Sequence, residues 1–511
     1  MTRFAGARPR AVGLALLALA SAGLAAPDAG AQEPFDLVIS GGRVMDPESG
    51  LDAVRDVGIR DGRVAALSAK RLAGAETLDA TGLVVAPGFI DLHAHGQDPR
   101  SNGFQARDGV TTALDLEVGA FPVKAFYAQR EGGALLNYGV AVGHIPARFK
   151  LKHGVGPVHP PTTPYLSKGP RAAALRFLRR VYRPTGYQHD PADEAEIERL
   201  RALVAQGLDE GGIGVGFGLD YTPGATHREI RRLFELAAQR DVAVFVHMRG
   251  VAGPTDMSAL EDVLGHAAAT GAPLHIVHIA SSGQARTPEY LKWIGVARKE
   301  GIDVSTEVYP YTAASTSIES AFFDDGWQDR LGIDYGDVQW SETGERLTRE
   351  SFESYRRRGG MVIIHMMTPE TVDLAVAHPR VMIASDGIPL LRGGEHPRGA
   401  GTHARVLGRY VREKRALSLM EALRKMTLMP AQRLEGFVPA MRDKGRIRVG
   451  ADADLTVFDA KRVIDRATFE DSYQYSDGIV HVLVGGTPVV RDGALVEGVF
   501  PGRPIRAGPR G

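Results

Sequence analysis

Two histidines one residue apart stand in the stretch Pro87-Gly-Phe-Ile-Asp-Leu-His93-Ala-His95. On a strand, residues i and i+2 point to the same side, so His93 and His95 can present two imidazoles to one divalent cation. Three more polar residues each end an apolar run: His247 after Val242-Ala-Val-Phe-Val, His278 after Leu274-His-Ile-Val, and Asp386 after Val381-Met-Ile-Ala-Ser. A single such ending is unremarkable, and an isolated His-x-His pair is as easily packing as chemistry. Five groups on four strands are hard to explain as packing. Glu117 closes Thr111-Thr-Ala-Leu-Asp-Leu and is placed to bridge two metals; Asp115 shares its face, and either carboxylate can serve as a salt-bridge partner instead. Lys124 falls in a helical stretch and ranks behind Glu117 as a modified bridging ligand. His275, three residues from His278, faces the opposite way and reads as core or as support for a ligand. His144 and His365 also end apolar runs, which makes each a pocket residue or a core one.

The chemistry this set supports is hydrolysis. A bound cation of suitable type brings the pKa of its water to roughly 7 and polarises a carbonyl. Asp386 can take the proton from that water and deliver it to a departing amine. No Gly-x-Ser-x-Gly turn offers a serine mechanism in its place.

Such groups need a scaffold that gathers them. Apolar segments at 90–95, 111–117, 138–144, 213–219, 242–248, 274–279, 304–310 and 381–386 alternate with amphipathic stretches such as 194–206, 227–240, 257–270 and 288–300. Eight strands in this alternation predict an α/β fold, a (β/α)₈ TIM-type barrel, whose strand C-termini converge on one face. An open doubly wound sheet is the alternative, and no Gly-x-Gly-x-x-Gly follows an early strand to support its dinucleotide version. The barrel is predicted over 87–436. Short alternating strands on both flanks, 34–86 and 437–505, with Asp61-Gly62 as a hairpin turn, predict a small β-sandwich domain built from both. The Pro-rich, basic stretch 150–193, with a helix near 170–181, and an insertion over 311–378 are expected to shape a pocket.

Composition narrows the partners. Lys+Arg and Asp+Glu both number 61, so the basic excess of a nucleic-acid binder is missing and a small-molecule substrate is expected. With no cysteine, neither a disulfide nor a thiolate site is possible, and a metal must be held by His, Asp, Glu or a modified Lys. Arg3, Arg8 and Arg10 precede an apolar run over 11–26 and the small residues Ala29-Gly30-Ala31. This is the pattern of a cleavable signal peptide over 1–31, predicting a periplasmic or secreted protein free of the membrane after cleavage. The alternative, a retained anchor, is disfavoured because the run falls short of the ~20 residues that span a bilayer.

Together these stretches resemble the D-aminoacylase (N-acyl-D-amino-acid deacylase) branch of the amidohydrolase superfamily over roughly residues 35–503. Carrying the resemblance, besides the His-x-His block, are Gly109-Val-Thr-Thr, Val142-Gly-His, Gly218-Leu-Asp-Tyr-Thr-Pro-Gly, His247-Met-Arg and Asp303-Val-Ser-Thr-Glu-Val-Tyr-Pro-Tyr-Thr. Ile383-Ala-Ser-Asp-Gly, Arg405-Val-Leu-Gly-Arg-Tyr-Val-Arg-Glu and the block from Lys444 to Asp459 complete it. The resemblance implies one or two zinc ions, with His93, His95 and Asp386 at one position and His247 and His278 at the other. It implies Asp386 as acid/base, Tyr309 as a contact to the substrate carboxylate, and Arg249, Tyr221 and His144 as pocket residues. Two departures stand out. Family members commonly carry a cysteine ligand after the Gly-Val-Thr-Thr strand, where this chain reads Leu116-Glu117-Val-Gly. The lysine expected just beyond His278 is Ala280, which leaves Arg249, Arg286 or Arg392 to meet a substrate carboxylate. The activity implied is deacylation of an N-acyl-D-amino acid, acidic ones included. Alternatives are a cyclic-amide or dipeptide hydrolase of the same superfamily, and a non-catalytic periplasmic solute-binding protein with a vestigial metal site.

Overall fold

The eight apolar segments form one parallel sheet: β1 (Phe89–Asp91), β2 (Val110–Ala120), β3 (Asn137–Gly143), β4 (Val215–Gly218), β5 (Val244–His247), β6 (Leu274–Ile276), β7 (Val304–Val308) and β8 (Val381–Ile383), hydrogen-bonded in that order. A computed structural model describes residues 34–154, 186–250, 256–390 and 394–508. The expected signal segment, the expected helix near 170–181 and Arg392 lie outside the described residues.

Consecutive strands are joined by helices, among them Glu194–Asp209, His227–Gln239, Ser258–Thr270 and Thr287–Lys299. Leu200, Val204, Ile230 and Leu233 from these helices share one apolar cluster with Val215, Val244 and Val246 of the strands. A second cluster gathers Ile90, Leu114, Ala141, Ile213, Phe245, Val277 and Met382, residues on or beside seven of the eight strands. Side chains from all round a ring meet in one cluster only in its middle, so this is the barrel interior. Ile505 completes it from near the C-terminus. Around Ile505 the chain runs against the start of β3, with Tyr138 N–H donating to Arg503 O at 3.1 Å and Ile505 N–H to Tyr138 O at 2.7 Å.

The ring closes through side chains rather than a ladder. Between β1 and β8 the carboxylate of Asp91 accepts from Ser385 N–H at 3.0 Å and Ser385 Oγ at 2.5 Å, and a single parallel bridge joins Ala94 to Gly387. This clasp sets His93 and His95 beside Asp386.

The flanking strands form one nine-stranded sheet in which Leu455–Phe458 pairs antiparallel with Val84–Pro87. A sandwich was the sequence expectation. Instead, Phe35–Asp46 is shared: its first half pairs with Gly74–Asp79, its second with Val84–Pro87, across a register shift between Ile39 and Gly42. A bulge bends the strand that carries it, so a single sheet encloses its own core of Leu37, Ile39, Val57, Val85, Leu455 and Leu483. Lys444 joins this sheet to the barrel. Its ammonium lies 2.5 Å from Asp454 and 3.0 Å from Asp452, and Asp454 also accepts from Asn137 at the start of β3 at 2.9 Å. After β7 the chain adds a three-stranded antiparallel sheet, Ala313–Ser317, Val338–Trp340 and Met361–His365, over a core containing Phe323, Trp327 and Trp340.

Candidate metal centre

Six side chains from five strand ends meet at one mouth of the barrel. Two overlapping groups have ligand atoms within 4.8 Å of one another: His93, His95, Glu117 and Asp386, and Glu117, His247 and His278. Glu117 belongs to both. Its Oε2 lies 2.8 Å from His93 Nε2 and 3.1 Å from His95 Nε2, while Oε1 lies 2.9 Å from His247 Nδ1. Asp386 Oδ1 is 3.4 Å from both His93 Nε2 and His95 Nε2, and His278 Nε2 is 3.0 Å from His247 Nδ1.

Local structure explains how each group arrives. The end of β2 leans over β3 and β4, and a Cβ at Gly216 or Gly143 would strike the carbonyls of Glu117 and Val118, respectively. Those two glycines let Glu117 reach the centre. His278 and Asp386 both sit in the left-handed region, at φ 34° and 51°. Non-glycine residues there carry strain of order 1–3 kcal/mol, and such residues cluster at functional sites.

Carboxylates behind the imidazoles select which nitrogen faces the centre. His93 Nδ1 is 2.6 Å from Glu307 Oε1, and His95 Nδ1 is 3.2 Å from Asp115 Oδ1. With Nδ1–H donating to a carboxylate, Nε2 is left with its lone pair toward the shared point. Glu307 also accepts from His275 Nε2 at 3.0 Å, so His275 supports the site rather than joining it. Although burial opposes ionisation, His93 and His275 hold Glu307 down to about 2; His247, His93 and His95 hold Glu117 well below the carboxylate range. Asp386 is likewise lowered against its burial, by Arg398 and His93. Burial and the neighbouring His247 press His278 down to about 3, which keeps it neutral as a ligand must be. A buried centre with several ionised carboxylates calls for positive charge.

The amidohydrolase family model matches residues 76–490. The chain belongs to the amidohydrolase family. Within it, this amidohydrolase falls in the D-aminoacylase branch. N-acyl-D-glutamate deacylase of Alcaligenes xylosoxydans xylosoxydans is 32% identical over 484 residues, covering 90% of this chain and 94% of that one. D-aminoacylase of the same organism is 30% identical, with coverage of 91% and 96%. Among solved structures, N-acyl-D-glutamate deacylase of Bordetella bronchiseptica, in complex with zinc and a phosphonate mimic of the tetrahedral intermediate, matches with TM-score 0.74 and 27% identity over 93% of this chain and 100% of that one.

The donor set fits zinc. Four imidazoles and two carboxylates are the N and O ligands zinc takes, and donors at ~2.0–2.1 Å around a tetrahedral ion stand about 3.4 Å apart. The separations from Asp386 match that value, and the others are a few tenths of an ångström shorter. Where relatives commonly have a cysteine, the carboxylate of Glu117 offers one oxygen to each half of the centre.

Two other predicted residues flank it. Tyr221 packs edge-on against His247 at 5.0 Å between centroids, its hydroxyl 3.0 Å from Thr316 Oγ1 of the added sheet. Tyr309 is buried with its ring 6.5 Å from that of His278, and burial pushes its hydroxyl up to about 12. Two predictions fail. His144 is not a pocket residue: it is the first residue of helix His144–His153, fully buried, with Nε2 2.7 Å from Glu229 Oε1. Arg249 faces the helix layer, where it donates to Ala225 O and lies 3.9 Å from Asp262. His365 pairs with Gln339 in the added sheet, Arg286 lies against Tyr290, and Lys124 is exposed on a helix.

One functional group escaped the sequence reading. Arg398 is buried, its Nη1 lies 2.9 Å from Asp386 Oδ2, and its guanidinium stacks 4.6 Å over the Tyr309 ring. The hydroxyl of Tyr309 and the Nε and Nη1 of Arg398 are buried without a hydrogen bond. Pro397-Arg398 lies in no strand, so no alternation rule could point to it.

Proposed function

We propose that this amidohydrolase cleaves the linear amide of an N-acyl-D-amino acid, acidic ones foremost, releasing an acyl carboxylate and the free amino acid. The observation that carries this reading is Arg398 with Tyr309 beside the six-donor centre: a permanent cation and a hydroxyl, both short of hydrogen bonds, next to the acid/base carboxylate. They supply what Ala280 cannot, a partner for the substrate's carboxylate. The 32% identity to an N-acyl-D-glutamate deacylase supports the acidic preference. A cyclic-amide hydrolase of this superfamily usually places a carboxylated lysine on β4, and Val215–Gly218 contains none.

His93, His95, Asp386, Glu117, His247 and His278 would hold the zinc. When bound, zinc activates water near neutral pH and polarises the amide carbonyl. Asp386 accepts the proton of the attacking water on a carboxylate oxygen and passes it to the amide nitrogen as that nitrogen departs. Arg398 and Tyr309 fix the substrate carboxylate, which orients the scissile bond toward Asp386. Tyr221 closes the side next to His247 and limits water there.

A hydrolysis screen over matched N-acyl-D- and N-acyl-L-amino acids tests the substrate class: release from the D series, with acidic members fastest, is expected, and equal rates on both series would refute it. Asp386→Asn should keep its zinc while turnover drops by about 10²–10⁴. We also propose that residues 1–31 are a cleaved signal and that the enzyme works in the periplasm or outside the cell. Arg3, Arg8 and Arg10 ahead of the apolar run support this, and a mature N-terminus at Gln32 in an extracytoplasmic fraction is the expected result.

A further inference from the structure

A second cation site stands outside the barrel mouth. In the helix layer, Asp262 and His266 lie four residues apart on helix Ser258–Thr270, and His227 is the first residue of the neighbouring helix His227–Gln239. One ligand atom from each lies within 4.8 Å of the others. His227 Nδ1 is 2.8 Å from Asp262 Oδ1, and His266 Nε2 is 3.1 Å from the same oxygen. The side chain of His266 is only 10% exposed, its ring rests on Phe234 at 5.4 Å between centroids, and its Nε2 has no hydrogen bond.

That last fact carries the argument. A nitrogen 3.1 Å from a carboxylate oxygen without hydrogen-bond alignment is aimed past its neighbour, at a point the two atoms share. The same signature marks the barrel centre, where Glu117 Oε1 lies 2.9 Å from His247 Nδ1 and likewise makes no hydrogen bond. We propose that His227, Asp262 and His266 bind one transition-metal dication of the zinc class, independently of the catalytic centre. Two imidazoles and a carboxylate are a zinc-type donor set, with water completing the tetrahedron. Arg249 lies 3.9 Å from the other oxygen, Oδ2, so Oδ1 keeps its face toward the imidazoles. Access is open: the His227 side chain is 73% exposed and borders a cleft of about 570 Å³ that Thr226, His189 and Arg249 also line.

The bound ion would pin the helix after β4 to the helix after β5. Since β5 ends in His247, the clamp sits at the base of the loop leaving a catalytic ligand, and its role is structural.

The test uses the full-length chain equilibrated with micromolar free Zn²⁺ and counts metal per chain by mass spectrometry. Wild type should hold one equivalent more than either His227→Ala or His266→Ala. Added Zn²⁺ should raise the Tm of wild type above that of both variants. Should His266→Ala fail to fold, His227→Ala, at an exposed position, decides alone. Equal zinc content in wild type and His227→Ala would overturn the proposal, whatever the hydrolysis screen returns.

Discussion

At the scale of single residues, the centre is defined as much by what stands behind the ligands as by the ligands. Glu307 grips both His93 and His275, and in doing so fixes the ring that the rest of the centre is built around. Glu307→Gln should leave the fold intact and weaken zinc binding by about 10–100-fold, read by competition with a chromophoric chelator. Unchanged affinity would mean that packing alone orients His93. The six ligand candidates were readable in the sequence because each occupies a strand end, where the barrel's geometry forces convergence. Arg249 and His144 misled for a matching reason. Strand alternation stops where the strand stops: β5 ends at His247, and β3 ends at Gly143 with His144 already helical. Two residues past a strand, parity no longer says which way a side chain points.

Among the elements, the approach of β2 to β4 decides whether a bridging carboxylate exists. Gly216→Ala adds a methyl group directed at the Glu117 carbonyl. Overpacking of this kind typically costs about 1–3 kcal/mol, and here it should also lower zinc content, because the backbone that must yield carries a ligand. Thermal melts with and without chelator would separate the two effects. The glycines of Val215-Gly-Phe-Gly were visible in the sequence, yet nothing in one chain of letters tells which strand a missing side chain admits. The added sheet supplies a pH-dependent element. Burial, with Arg346 nearby, holds His365 down to about 4, against roughly 6.5 when unfolded. Between those values the unfolded chain binds a proton that the folded chain refuses, so stability is present above about pH 6.5 and is lost as pH falls toward 4. His365→Gln should flatten the dependence of Tm on pH across that window relative to wild type. Parallel slopes would show that His365 is solvated in solution.

For the molecule as a whole, the small sheet and the barrel are held at a buried charge. Lys444 neutralises Asp454 where that carboxylate also takes hydrogen bonds from Asn137 and Gly485. Lys444→Met leaves an ion without its partner, a change that costs about 3–5 kcal/mol when both are buried. A Tm shift within experimental error would place the clamp's weight elsewhere. The union of the two flanks into one β-rich unit was legible from their matching texture of short strands, while the bend that makes one sheet of it was not. That bend is a two-residue irregularity in Phe35–Asp46, and hydrophobic alternation is nearly unchanged across it.

The stretch at 503–505 runs beneath the barrel, and Ile505 plugs a ring whose other members come from residues 90–441. During synthesis the ring is complete hundreds of residues before its stopper leaves the ribosome. Until then the nascent polypeptide carries an uncorked floor. A chain that must stay unfolded until it has been threaded to another compartment would gain from keeping its final fastening for last.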